Sequence, residues 1–90
     1  MNCALCNSSW GNLLKTVDNK ELFFCCEICY RAYVNILNEV KKRKKWEEVE
    51  EMKFKGNYRG RIGIARQKGE KYKFFVRFNR EGDIESFIEI

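Results

Sequence analysis

The stretch that decides the fold is residues 22–33, which reads LFFCCEICYRAY and follows the earlier stretch CALC of residues 3–6. These two stretches hold all 5 cysteines of the chain. Zinc binds four thiolates at tetrahedral corners about 2.3 Å from the ion, and two closely spaced cysteine pairs can supply that shell. Four thiolates leave no coordination position for water, so the sequence predicts one structural zinc ion without a catalytic role.

The cysteines allow two ligand sets. Cys3 and Cys6 form the first pair in both sets, and the second pair is either Cys25 with Cys29 or Cys26 with Cys29. Both spacings reach one ion from the first turn of a helix. Cys25 is the favoured ligand because the preceding strand delivers it directly to the site, and Cys26 is the alternative. The cysteine left over is expected to be a small apolar filler rather than a redox or metal-transfer group.

Disulfide bonds are the competing interpretation of the cysteines, because some intracellular hyperthermophile proteins are rich in them. The odd number of cysteines, their division into two clusters and the lack of a secretion signal favour a metal instead. A redox C-x-x-C would leave the second cluster unexplained. We therefore expect reduced thiols in a cytoplasmic protein.

Hydrophobic periodicity predicts a β-hairpin and a helix around the second cluster. Residues 13–17 and 21–25 are β-prone runs that flank a turn-forming triplet, residues 18–20. Apolar residues then recur at steps of three and four between Ile28 and Val40, which predicts an amphipathic helix from residue 27 to about 42. The partial positive charge at its N-terminus would stabilise thiolates placed there.

The charged segment of residues 41–52 interrupts the apolar stripe with KKRKK followed by WEEVEEM. Because glutamates are unfavourable at a helix C-terminus, we expect either a kink near residues 43–46 with a second short helix, or an unbroken helix to residue 51. From Lys53 the period changes to two, which predicts three strands with turns at Lys68-Gly69 and at residues 81–83.

The cysteine region resembles the TRASH-type treble-clef zinc domains, whose pattern is C-x2-C, a hairpin, an aromatic-aromatic-Cys step and C-x3-C opening a helix. The resemblance covers about residues 1–40 and implies a zinc site. Its four ligand positions fall on Cys3, Cys6, Cys25 and Cys29, and its frequent extra cysteine falls on Cys26. Such domains occur in metal-responsive regulators and metal-handling proteins, which is the alternative function that the resemblance implies. The whole chain is also similar to small, uncharacterised archaeal zinc-binding proteins.

The predicted fold class is α+β: an N-terminal treble-clef-like zinc knuckle and β-hairpin, a central amphipathic helix, and a C-terminal three-stranded antiparallel meander packed on the helix. Its regions are the zinc-binding residues 1–40, a helical extension or connector at 41–52 and the basic meander 53–90, expected to share one core. The face expected to pack on the helix holds Tyr58, Ile62, Ile64, Tyr72, Phe74, Val76, Phe78, Ile84, Ser86, Ile88 and Ile90. The opposite face is expected to hold Arg59, Arg61, Lys71, Lys73, Phe75, Arg77, Glu85, Phe87 and Glu89.

Composition excludes several function classes. The 90 residues include no histidine, so hydrolase and proton-shuttle sites that depend on imidazole are impossible, and we expect no enzyme. No apolar run approaches the ~20 residues that span a bilayer, so we expect no membrane partner. A chain this small also offers no large cleft for a small-molecule substrate. The formal charge of +5 favours a polyanionic partner.

Basic and aromatic residues predict a nucleic-acid-binding surface, for DNA or RNA. The basic run at residues 41–45 can neutralise phosphates without reading sequence, and Phe75 and Phe87 on adjacent strands would stack bases between cations. The predicted contacts are Lys41, Lys42, Arg43, Lys44, Lys45, Arg59, Arg61, Lys73, Phe75 and Arg77. The competing interpretation is a solvated lysine run and a cross-strand phenylalanine pair, with another protein as the partner.

Overall fold

A computed structural model describes residues 2–9, 11, 13–57 and 60–90 of the chain. These residues form one helix and six strands in two antiparallel sheets. In chain order the elements are β1 (Leu13–Val17), β2 (Lys20–Phe24), α1 (Glu27–Lys44), β3 (Glu51–Asn57), β4 (Gly60–Gln67), β5 (Glu70–Phe78) and β6 (Ile84–Glu89). Strands β1 and β2 form a hairpin, and the other four form a sheet in the order β3-β4-β5-β6. No helix in these described ranges is long and apolar enough to cross a membrane.

The hairpin lies where the sequence pattern predicts it. Val17 pairs with Lys20, so the two strands close on a two-residue turn. The turn residues Asp18 and Asn19 have φ of 51° and 64°, a left-handed conformation that Asp and Asn tolerate and that suits the twist of a hairpin. Strand β2 ends in the fully buried Phe24, immediately before the second cysteine cluster.

Helix α1 buries one stripe of side chains and ends at Lys44, close to the predicted end at about residue 42 and within the predicted break at residues 43–46. The buried side chains are Cys29, Ala32, Tyr33, Ile36, Leu37 and Val40. Lys45 adopts a φ of 58°, and its backbone N–H donates a hydrogen bond to the carbonyl of Lys41, which closes the helix at Lys44. The predicted second short helix and the predicted unbroken helix to residue 51 are therefore both wrong. Basic residues in the last turn suit the negative end of the helix dipole, and the glutamates that follow do not.

The predicted three-stranded meander is also wrong, because the C-terminal sheet has four strands. The additional strand is β3, which pairs antiparallel with β4 from Glu51 opposite Arg66 to Asn57 opposite Gly60. The alternation of residue types continues across this reversal, so periodicity alone joins the two strands into one. Gly56 has a φ of 134°, which side chains rarely permit, and so marks the strand end. The predicted face residues 58 and 59 lie outside the described residues.

The division of β4 residues between the two faces of the sheet differs from the prediction. Ile62 and Ile64 are 40% and 41% exposed and lie on the face away from the helix, whereas Gly63 and Ala65 are buried. Gly63 must lack a side chain, since a Cβ there would stand 2.4 Å from the ring of Phe74. The reversal before β4 sets which of its residues point inward, and a change of one residue moves every side chain to the other face.

Strand β6 is turned over relative to the prediction from Ser86 onward, whereas Ile84 pairs with Phe78 and packs against the core as expected. The pairing register shifts between Arg77 and Phe78, as a β-bulge does when it inserts one residue into a ladder. Phe87 consequently lies on the helix side, where its ring stacks on that of Phe74 at a centroid distance of 4.7 Å. Ile88 lies on the opposite face and is 55% exposed. The predicted outward Phe87 and inward Ile88 are therefore wrong.

A chain of aromatic rings joins the two sheets through the helix. Phe24 packs edge-on against Tyr33 at 5.4 Å, Tyr33 against Phe54 at 6.1 Å, and Phe54 against Phe74 at 6.1 Å. Each such pair contributes about 0.5–1.5 kcal/mol beyond its buried area. The buried residues of both sheets and the helix belong to one core cluster. The sheet face that carries Phe54 and Phe74 is its inner face, covered by the helix, and the opposite face is called the outer face below.

Candidate functional site

The first cysteine pair lies in a tight turn that is hydrogen-bonded to the hairpin. The backbone N–H of Asn7 donates to the carbonyl of Cys3 at 3.0 Å, which closes the turn around Cys6. The backbone N–H of Ala4 donates to the carbonyl of Phe23 at 2.8 Å. This second bond fixes the turn against β2 and places both cysteines beside the end of that strand.

The second pair comes from the junction between β2 and α1. Cys25 follows the last residue of β2, Cys26 has the extended backbone of an N-cap with a φ of −160°, and Cys29 lies in the first turn of the helix. Gly11 passes close to this junction with a φ of 94°, and a Cβ there would stand 2.5 Å from the carbonyl oxygen of Cys25. Only glycine fits both that conformation and that approach.

Four thiol sulfurs converge at this junction, all within 4.8 Å of one another: those of Cys3, Cys6, Cys25 and Cys29. The sulfur of Cys25 lies 3.4 Å from that of Cys6 and 3.4 Å from that of Cys29. Sulfurs bound to one metal at about 2.3 Å in a regular tetrahedron stand about 3.8 Å apart. The cluster therefore has the size of a four-thiolate shell, whereas a disulfide needs an S–S distance of about 2.05 Å. These are the four ligands favoured from the sequence, and their spacing is consistent with zinc without being specific to it.

The fifth cysteine, Cys26, lies beside the cluster and outside it. Its sulfur is 3.9 Å from that of Cys25 and is not one of the four that converge. Its half-buried side chain packs against the core cluster, as a small apolar filler does. The geometry therefore favours Cys25 over Cys26 as the partner of Cys29.

Crowding of the thiols makes full ionisation of the cluster unfavourable without a cation. Burial raises the pKa of Cys29, and the neighbouring cysteines raise it further. Burial also raises the pKa of Cys25 to about 12, with a contribution from the thiol of Cys6. Burial opposes ionisation of Cys3 as well, yet backbone N–H groups of Cys6 and Cys25 lower its pKa to about 7. A divalent cation among four thiolates removes their mutual repulsion, and the helix N-terminus stabilises the remaining negative charge.

Three members of the basic run at residues 41–45 contact other side chains of the chain. Lys41 forms an ion pair with Asp18 of the hairpin turn at 2.6 Å. The guanidinium of Arg43 lies 4.6 Å from the ring centre of Phe87, and the ammonium of Lys44 lies over two further aromatic rings. These cations hold the helix end against the hairpin and the sheet. The exposed members of the run are Lys42, Arg43 and Lys45.

Strand β5 presents three of the predicted nucleic-acid contacts on the outer face. Lys73 and Arg77 are exposed there, and Phe75 lies half-buried between them. Arg61 does not join them, because its pairing with Val76 puts it on the inner face, where its guanidinium lies 5.7 Å from the ring centre of Phe78. Of the two phenylalanines predicted to stack on bases, only Phe75 lies on the outer face, and the predicted contact Arg61 does not lie there.

Cross-strand pairing shows which residues surround Phe75 on the outer face. One row crosses the sheet as Lys55, Ile62, Phe75 and Ile88, and the next row holds Lys53, Ile64 and Lys73. Sequence reasoning missed Lys53 and Lys55, and the period-two alternation that starts at residue 51 is the signal that could have placed them. Glu51 forms ion pairs with Lys53 and Arg66 at one corner of this face. On the outer face, the lysines and arginines that form no ion pair with a described residue are Lys55, Lys71, Lys73 and Arg77.

Comparison with known proteins identifies a family over the whole chain. The family model described as Ta0938 matches residues 1–90. No curated protein and no solved structure matches the chain. The assignment of residues 1–40 to the TRASH-type treble-clef domains stays a prediction.

Proposed function

The chain belongs to the Ta0938 family, and we propose that it is a non-enzymatic binding module, built around one structural zinc ion, whose partner is a nucleic acid. The observation that carries the proposal is the outer face, where Lys55, Lys71, Lys73 and Arg77 are exposed around the ring of Phe75. Cations without carboxylate partners attract a polyanion, and an aromatic ring among them adds a surface on which bases stack.

The zinc part of the proposal rests on the size and chemistry of the thiol cluster. Two of the S–S separations are 3.4 Å and all four sulfurs lie within 4.8 Å of one another, distances that bracket the about 3.8 Å of a tetrahedral thiolate shell. Thiolates in that arrangement suit zinc, and reduced thiols fit the cytoplasmic location that we propose.

A binding role, rather than catalysis, is supported by the ligand set itself. Four thiolates saturate zinc and leave no position for water or substrate. The chain has no histidine to act as a base near neutral pH. We therefore assign no reaction to the metal, which serves to hold the turn, the hairpin and the helix together.

The salt dependence of binding tests the nucleic-acid proposal. We would measure fluorescence anisotropy of a labelled oligonucleotide with the zinc-loaded protein between about 50 and 200 mM salt, where affinity falls steeply if several phosphates are engaged. Lys73→Glu on the outer face should weaken binding and flatten the salt slope. The matched control is Lys42→Glu, which changes an exposed lysine at the helix end and should have little effect. A flat salt response, or equal losses in both variants, would refute the outer face as the polyanion site.

A metal-handling role is the second candidate, and the position of Cys26 favours it. Its sulfur lies 3.9 Å from that of Cys25, close enough to enter as a replacement ligand during metal exchange. Thiolates bind soft ions such as Cu⁺ strongly. Displacement of zinc by Cu⁺ at physiological free concentrations, with a change of fold or oligomeric state, would support this role. If zinc stays in place, the metal is a scaffold.

A further inference from the structure

The ring of Phe75 occupies a place that only glycine leaves open. A Cβ on Gly60 would stand 2.3 Å from Cζ and 2.8 Å from Cε2 of that ring. The tip of the ring therefore lies directly over the Gly60 backbone. Gly60 is not one of the glycines with a positive φ, so its backbone does not demand glycine. Because Gly60 has no side chain, the ring of Phe75 can pack directly against the Gly60 backbone on the outer face.

The neighbours of Phe75 differ along the strand and across the sheet. Along β5 the ring is flanked by Lys73 and Arg77, each two residues away and on the same face. At about 3.3 Å per residue, each cation is about 7 Å from Phe75 along the strand. Across the sheet Phe75 pairs with Ile62 on one side and Ile88 on the other, which are 40% and 55% exposed. The ring thus lies in an apolar row with one cation before it and one after it.

This arrangement matches a single nucleotide unit in an extended strand. A base offers a flat face, and the phosphates on either side of it carry negative charge. Base stacking on an aromatic ring tolerates every sequence, because every base has a π-face. Resting on the proposed nucleic-acid function, we propose that the outer face takes a single strand that runs along β5, with one base stacked on Phe75 and its flanking phosphates at Lys73 and Arg77.

A duplex does not fit the same surface. Inside a duplex each base face is covered by its neighbours, so a ring held on a sheet cannot stack on it without unstacking a step, which costs a few kcal/mol. The cations could still bind duplex phosphates, but Phe75 would add nothing to that contact. Preference for single strands and dependence on Phe75 should therefore appear together.

The first experiment compares single-stranded and duplex oligonucleotides of equal length by fluorescence anisotropy with the zinc-loaded full chain. We expect the single strand to bind at least about tenfold more tightly at low salt. Phe75→Ala should weaken single-strand binding by about 5- to 150-fold, the range that stacking of one base gives, and should leave duplex binding unchanged. Phe75→Leu keeps an apolar side chain without a π-face, so it should lose most of the same affinity. The matched control is Leu14→Ala, which removes an apolar side chain that is 47% exposed on β1, in the other sheet.

Gly60→Ala tests the position of the ring without removing it. The added methyl group meets the far end of a side chain that can rotate, so we expect the fold, the zinc content and the melting curve to be retained. Single-strand affinity should fall in the same direction as for Phe75→Ala, and the double variant should be no weaker than Phe75→Ala alone. If the losses of single-strand affinity in Gly60→Ala and Phe75→Ala added up in the double variant, Gly60 would not act through the position of the Phe75 ring.

The outcomes separate this inference from the function on which it rests. Equal binding of single strand and duplex, with Phe75→Ala neutral for both, overturns the inference, while a steep salt slope would keep the nucleic-acid function. If neither oligonucleotide binds with a salt-dependent affinity, both fall, and an acidic protein segment becomes the better occupant of the exposed isoleucines.

Discussion

Cys25→Ser removes the sulfur that lies closest to two other members of the cluster, at 3.4 Å from Cys6 and 3.4 Å from Cys29. A serine hydroxyl is a poor zinc ligand at neutral pH because it does not ionise, so only three thiolates would be left to hold the ion. We expect loss of bound zinc. The matched control is Cys26→Ser, which changes the adjacent cysteine outside the cluster and should keep the metal.

The structural cost of losing zinc follows from comparing two free energies. A domain of 90 residues has a total stability of about 5–14 kcal/mol at typical values per residue. Structural zinc contributes about 10–16 kcal/mol to folding in small domains. Without the ion, the first cysteine turn is held to the rest of the chain by the hydrogen bond from Ala4 to Phe23 and by the burial of Leu5. We therefore expect Cys25→Ser to unfold the turn and the hairpin.

Native mass spectrometry and thermal melts under reducing conditions measure both effects. Cobalt substitution adds an independent check, because the Co²⁺ spectrum reports tetrahedral thiolate coordination. If Cys25→Ser kept zinc and Cys26→Ser lost it, the ligand would be Cys26 in place of Cys25. A wild-type protein that carries disulfides and no metal after reducing purification would refute the metal centre altogether.

Three further predictions concern the fold. Gly63→Ala brings a Cβ to 2.4 Å from the buried Phe74 ring, and urea denaturation should show a loss of about 1–3 kcal/mol from overpacking. Lys45→Gly relieves a non-glycine residue at a φ of 58° and should raise the unfolding free energy by about 0.5–1 kcal/mol in the same assay. Burial, with the charge of Asp18, raises the pKa of Tyr33 to about 12, above its unfolded value of about 10. The un-ionised Tyr33 therefore contributes fully to the free energy of unfolding below pH 10, and this contribution is lost as the pH rises toward 12. Between pH 9 and 11 the free energy of unfolding of the wild type should fall by about 1 kcal/mol more than that of Tyr33→Phe. An equal loss in the two proteins would contradict this.

The parts of the fold that the sequence predicts are those with local causes. The hairpin turn at Asp18 and Asn19 uses residues that tolerate a positive φ, and the helix carries its own apolar period. The reversal between Asn57 and Gly60 has no such signal, because the residue pattern alternates in the same way on both sides of it. Strand formation is a local preference, whereas the number of strands depends on pairing between distant segments.

Face assignment fails for a related reason. Isoleucine favours strands whichever face it occupies, so Ile62 and Ile64 identify β4 as a strand without showing where they point. The inward residues at the centre of β4, Gly63 and Ala65, are small, because the rings of Phe54 and Phe74 fill the space above Gly63. An inner face filled from neighbouring strands cannot be recognised from the hydropathy of one strand.

The metal centre was more predictable than the basic surface because thiol ligands must lie close to one another and lysines need not. Four sulfurs can share one site only when the cysteines have one of a few sequence spacings, so the spacing of the cysteines predicts that their sulfurs converge. A lysine run carries no such constraint, and Lys41 and Lys44 turn out to contact an aspartate and aromatic rings. The exposed cations of the outer face belong instead to strands whose order depends on the whole sheet.

The thiol cluster and the outer face should influence each other only through the stability of the fold. The cluster lies at the start of the helix, which covers the inner face, whereas Phe75 lies on the outer face. The connection between them runs through the packed rings of Phe24, Tyr33 and Phe54. Cys26→Ser, if it keeps zinc and the wild-type melting curve, should therefore bind single strands with wild-type affinity. A loss of affinity in that folded, zinc-loaded variant would show that the cysteine region contacts the partner directly and that the outer face alone does not account for binding.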